Sequence, residues 1–226
     1  MKTDTKTVLL KRFEIIMLTS EVPQKLILPK LHISWSQLQM WQSNPARYRK
    51  EYFENGKKLD TKFLRFGKNI ATLIETGQYK ELLPGLQVYD SPEYKIECNV
   101  NGVPILSYID SYNSIDNVFY EFKTGKIPWT KAKVQKHDQL VFYATALKWS
   151  TGRMPEYCDL TWIETVESEN EQVDFFREQS KIINVTGRVI MFHREFDPRE
   201  LERMEELIVK VATEISDAYK AYIAEI

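Results

Sequence analysis

Asn101–Gly102, set between two runs that alternate apolar and polar residues, is the feature that most restricts how this chain can fold. Both central positions of a two-residue hairpin turn need positive φ, which asparagine and glycine adopt at least cost. Residues 93–100 and 103–110 are therefore expected to be paired antiparallel strands. A polar turn over 113–117 and a further apolar run over 118–124 extend the pair into a meander, which Gly125 and Pro128 end. On either side the period becomes that of a helix. Phe63, Phe66, Ile70, Leu73 and Ile74 recur at three- and four-residue steps, which predicts a helix over 61–76 with Gly77 as its stop. Val134, Leu140, Val141, Ala144 and Leu147 predict another over 131–149, followed by a strand over 157–166. A helix between two strands of one sheet implies a right-handed crossover and parallel pairing.

The flanks carry local signals. Ser34 or Ser36 suits the start of a helix, and Ser34 with Gln37 has capping-box spacing. Asn44–Pro45 stops that helix and starts the next, which runs through Arg47 to Phe53 and ends at Asn55–Gly56. A strand or short helix is expected around 8–18, ending at Pro23 and Pro29. Beyond 166 come an accessory strand region over 182–196 and an amphipathic helix from Pro198 to about Tyr222, capped by Asp197. The expected class is α/β: an α-β-β-β-α-β mixed sheet flanked by helices. The core spans about 61–166, with a helical segment over about 31–60 and accessory strands and a helix over 167–226. A chain of 226 residues fits one elaborated domain.

Composition narrows the partners. Hydrophobic residues at 43% and charged residues at 28% suit a folded globular chain. No apolar run approaches the roughly 20 residues of a membrane helix, and the start lacks a cleavage site, so neither membrane nor export is expected. The expected location is cytoplasmic, in a bacterial or phage-infected cell. Cys98 and Cys158 are too few for a four-cysteine zinc or iron–sulphur site, and are expected to be buried thiols rather than a disulfide. The net charge of −1 excludes a generally basic binder, but its placement is uneven. Residues 47–68 hold eight basic and three acidic side chains, and residues 121–136 hold five lysines and one glutamate. Residues 195–226 hold nine acidic and four basic ones. Such polarity lets one face hold a polyanion; solvated helix faces would give the same counts.

Residues two apart on a strand share a face, so Glu121 and Lys123 project together while Tyr120 and Phe122 face the other way. A carboxylate beside an amine can bind a cation and position a water, although Glu-x-Lys is also the ordinary pattern of a solvated strand. Asp110 ends the preceding strand, where aspartate also serves turns. Glu75 ends the 61–76 helix, where a carboxylate opposes the helix dipole. Gln139 and Tyr143, four apart, share a helix face. They could steady a water or phosphate, or simply form a helix flank. Trp129, in a basic loop, could stack a base or pack on the sheet. His137 is expected to be a plain helix histidine, and His32 and His193 have no visible partners.

Four segments in order, FGKNIATLIE, PILSYID, YEFKTGKIPW and HDQLVFYA, resemble the PD-(D/E)XK nuclease superfamily, in particular RecB-like and phage-type exonucleases. Upstream, ISWSQLQMWQSNPARYRKEY is similar to the opening of RecB-like nucleases, so the likeness covers about 33–166. It implies metal ligation by Glu75, Asp110 and Glu121, with Phe122 included in the metal set. It also implies water activation by Lys123, with Gln139 and Tyr143 supporting. Lys126, Trp129, Lys131, Lys133, Lys136 and Arg47 are the candidate DNA contacts. Many RecB-like proteins carry a histidine where Ala71 stands, so the remaining oxygen ligands suit Mg²⁺ and permit Mn²⁺. Iron–sulphur relatives carry a cysteine where Asn44 stands, and no later cysteine group follows, so no cluster is expected. The leading expectation is a DNA exonuclease acting on duplex ends in phage-type recombination or repair, with DNA as partner. A single-strand annealing or other recombination protein is a further candidate partner, and nothing indicates an oligomer. The alternatives are a structure- or sequence-selective endonuclease on the same core and a catalytically dead DNA-binding subunit.

Overall fold

One mixed sheet organises the chain in the computed structural model, which describes residues 25–57, 60–88, 91–168 and 182–226. The element expected around 8–18 lies outside them. The strands are β1 (Ser91–Val100), β2 (Val103–Asn113), β3 (Val118–Gly125), β4 (Tyr157–Ser168) and β5 (Ile182–Glu195), side by side in that order. β1 to β3 are antiparallel neighbours, β3 and β4 are parallel, and β5 returns antiparallel on β4. Asn101 and Gly102 turn the first hairpin at φ 49° and 90°. The Gly102 N–H donates to the Asn99 side chain at 2.7 Å.

The helices are α1 (Trp35–Ser43), α2 (Pro45–Tyr48), α3 (Lys62–Glu75), α4 (Lys131–Gln135), α5 (Asp138–Thr151) and α6 (Pro198–Ala224). α2 runs on as a π-helical turn, Arg49–Phe53. Ser34 caps α1 by accepting the Gln37 N–H, but the Gln37 side chain turns inward to the His32 carbonyl and the Tyr48 hydroxyl, so no capping box forms. Asn44 caps α2 with Pro45 in its first turn, as the sequence signals.

Alternation along the strands divides the interior into two layers. α1, α2, α5 and α6 contribute to the main core, where Tyr48, Ile96, Phe119, Leu140, Leu160 and Ile208 are buried together. A smaller cluster joins Ile70 and Ile74 of α3 to Leu83, Leu86 and Ile163, with Phe122 packed against it. The outcome is an α/β fold: a five-stranded mixed sheet flanked by helices, with helical additions at both ends.

Three expectations need correction. The helix expected over 131–149 is two helices, because His137 leaves the helical region at ψ 97°. Its carbonyl accepts both the Leu140 N–H and the guanidinium of Arg194, which is 1% exposed. β2 continues to Asn113, so Asp110 lies inside a strand rather than at its end. Residues 182–195 are the fifth strand of the same sheet rather than an accessory region. Cys98 and Cys158 are both free, the second buried, and burial lifts the Cys98 thiol to about 11. Among the described residues no helix is long and apolar enough to cross a membrane.

Candidate active site

β3 sets the central pair. The Lys123 Nζ donates to the Glu121 Oε1 at 2.5 Å and to the Gln139 Oε1 of α5 at 2.8 Å. The Gln139 amide in turn donates to the Tyr143 hydroxyl at 2.7 Å, one helical turn on. The lysine is thus held by a carboxylate from its own strand and an amide from the crossover helix. Burial first, then the Glu121 charge, raises the Tyr143 phenol, so it stays protonated. Glu121 is 3% exposed, and its second oxygen, Oε2, is buried without a hydrogen-bond partner.

Asp110 arrives from β2. The β2–β3 ladder ends at Ser111↔Tyr120, one step before Asp110 would face Glu121. Freed from a regular ladder, the Asp110 side chain reaches across, and its Oδ2 accepts the Phe122 N–H at 2.6 Å. Burial first, then the Glu121 charge, pushes the Asp110 carboxyl well above the usual range, against the pull of the Phe122 N–H and the Lys123 charge. Two carboxylates in low-dielectric contact repel unless a proton or a cation stands between them.

Asp110, Lys123 and Phe122 open on a cavity of about 420 Å³ whose opposite wall is α3. Glu75 lies on that wall, exposed, its carboxyl raised by partial burial and by the charge of Glu93. Ala71, one turn before Glu75, also lines the cavity. As the side chains stand, no three carboxylate, imidazole or thiol groups among the described residues converge closely enough to hold an ion. The structure brings Asp110, Glu121, Lys123, Gln139 and Tyr143 together and sets Glu75 across the cavity from them. The donor chemistry fits a divalent cation: oxygen-only groups, an unpartnered buried carboxylate oxygen and a second carboxyl under charge repulsion.

The candidate DNA contacts are less unified. Trp129 packs against the main core, its ring edge-on to His137 at 4.7 Å, and Lys133 Nζ covers it at 4.0 Å. Packing, with a cation on one face, is therefore its observed role. Lys126 pairs with Glu167 at 3.2 Å, and Lys62 of α3 reaches the same carboxylate at 3.5 Å. Lys131 and Lys136 are exposed on and after α4. Arg47 pairs with Glu51 within the N-terminal helical segment and does not line the cavity.

Two residues escaped the sequence. Arg194 of β5 fixes the α4–α5 break while paired with Glu200 at 3.2 Å, and no local pattern marks it. Glu93 of β1 lines the cavity with φ at 47°. The β1–β2 ladder skips it, a break that no local pattern records.

No family model matches the chain, and no curated protein matches it by sequence. Among solved structures the chain is similar to LHK-Exo in complex with dAMP, at 12% identity and a TM-score of 0.50, over 87% of this chain and 94% of that one. It is also similar to a candidate exonuclease from Eubacterium rectale, at 12% identity and a TM-score of 0.47, over 95% of this chain and 88% of that one. The first likeness shows that the chain has the fold of an exonuclease structure.

Proposed function

We propose that the whole chain is one PD-(D/E)XK-type nuclease domain, a metal-dependent deoxyribonuclease that hydrolyses phosphodiester bonds at DNA ends. The observation that carries this is the Lys123 amine, held between Glu121 and Gln139 beside the Asp110 carboxyl at the wall of an open cavity. Asp110 and Glu121 would hold a divalent cation, Mg²⁺ or Mn²⁺, with Glu75 approaching from α3. Such an ion supplies a polarised phosphate and an acidified water. Lys123 lies where it can orient that water or meet charge developing on the phosphoryl oxygens. Gln139 and Tyr143 fix the amine's direction, and a fixed donor avoids reorganisation at the moment of reaction. The dAMP held by LHK-Exo is a deoxynucleoside monophosphate, the class of product that end-wise hydrolysis of DNA would release.

The test is digestion of linear duplex DNA with Mg²⁺, with Mn²⁺ and with excess chelator. Release of nucleotides only in the presence of metal is expected. Full activity in chelator would overturn the metal-dependent chemistry, and tight binding without cleavage would point to a DNA-binding module.

A further inference from the structure

Arg194 of β5 takes no part in the chemistry proposed above, yet its charge is buried, with the residue 1% exposed. One guanidinium nitrogen donates to the His137 carbonyl at 2.9 Å, and another pairs with Glu200 in the first turn of α6 at 3.2 Å. The guanidinium lies over the Phe196 ring, 5.3 Å from its centroid, and that ring stacks on Phe119 in the main core. The Nε–H is buried with no hydrogen-bond partner. A buried ion pair adds little stability compared with apolar packing, and an unmatched donor subtracts from it. What such a group can supply is a fixed geometry.

The geometry it fixes is the start of α5. The carbonyl that Arg194 holds also accepts the Leu140 N–H, the first bond of the new helix. His137 has ψ 97°, where a continuous helix would need about −42°, so the chain turns by roughly 140° at this one bond. The His137 side chain makes no capping bond, so the local chain supplies no such anchor of its own. Gln139 is the second residue of α5, and its Oε1 receives the Lys123 amine at 2.8 Å. A helix advances about 1.5 Å and turns about 100° per residue. A start displaced by one residue would therefore carry the Gln139 amide out of reach of Lys123. We propose that Arg194 is a positioning residue for the reaction: by gripping the His137 carbonyl it sets where α5 begins, and so holds Gln139 against the Lys123 amine. The proposal rests on the nuclease reading of Lys123 above. Arginine suits the task because its planar fork serves two partners at set angles, whereas a lysine amine is a point charge on a flexible stem.

The test is a double-mutant cycle on linear duplex DNA with Mg²⁺, comparing wild type, Arg194→Lys, Gln139→Ala and the two together. kcat, KM and melting temperature are measured for each. Arg194→Lys should lower kcat by about 10–100-fold with KM little changed, since a misplacement of about 1 Å can cost about 10²-fold even from far away. In the Gln139→Ala background the same substitution should lower kcat no further, while its cost in melting temperature persists. An arginine of merely structural importance would lower the melting temperature in both backgrounds and either spare kcat or reduce it equally in both, and either result overturns the proposal. Should Arg194→Lys fail to fold, Glu200→Gln, which removes the charge that Arg194 faces, replaces it in the cycle with the same pattern expected at smaller size. Unchanged kcat in the Arg194 or Glu200 variant beside a slowed Gln139→Ala would remove Arg194 and leave the nuclease reading standing. No metal-dependent cleavage by wild type would overturn both.

Discussion

Lys123 shows how much one residue depends on its supports. Its amine has partners from β3 and from α5, so its position is set by two elements rather than by its own rotamers. Lys123→Ala is expected to lower turnover by about 10²–10³-fold, the scale for one preorganised electrostatic group. Affinity for DNA should change far less, since exposed lysines such as Lys131 and Lys136 remain; single-turnover rates and binding isotherms separate the two. His137 offers a residue-scale test by pH. Burial first, then the Lys123 charge, holds its imidazole down to about 4; Arg194 and Lys133 also oppose the proton, and only Gln139 favours it. The unfolded chain takes up that proton near pH 6.5, so the neutral imidazole favours the fold above 6.5, and this contribution is lost as pH falls toward 4. His137→Gln should flatten the decline of melting temperature between those values. An unchanged slope would assign the acid limb to other groups.

At the scale of elements, the signals that proved readable are those confined to a few neighbouring residues. Asn44–Pro45 and Asp197–Pro198 mark helix starts because capping is a bond between a side chain and a backbone N–H two or three residues on. α6 carries a full capping box, with Glu200 returning to the Asp197 N–H at 3.3 Å. Asp197→Ala should cost about 1 kcal/mol of stability. Glu200→Ala should cost more, because Glu200 also faces the buried Arg194, and removing one partner leaves that charge uncompensated. Denaturant titration of both variants checks the order, and a reversed order would make the Arg194 pair inconsequential. The α4–α5 break was hidden for the opposite reason. Its apolar spacing continues through residue 137, and only the distant Arg194 and a turn at His137 divide it.

For the whole molecule, the charge distribution bears on how DNA would be taken. No described element looks like a base-reading module, and the basic side chains that line the cavity are Lys68 of α3 and Lys123 of β3. Backbone gripping without base readout gives little sequence preference and a steep loss of affinity with salt. A free end is then the expected restraint on the enzyme. Linearised plasmid should be degraded to nucleotides with Mg²⁺ while the nick-free closed circle persists. Discrete fragments from the circle would favour an endonuclease instead.

The sequence by itself determined the element order, the hairpin at Asn101–Gly102 and the same-side placement of Glu121 and Lys123. Each depends on chain-local geometry: a turn that needs positive φ, or a strand whose side chains alternate. Only the tertiary structure decided that β2 and β3 part beside Asp110, that Arg194 is buried behind His137, and that Glu93 lines the same cavity as Asp110. These follow from register and packing between segments far apart in the chain. A one-residue slip would move every side chain to the other face, and no local pattern records which register was chosen.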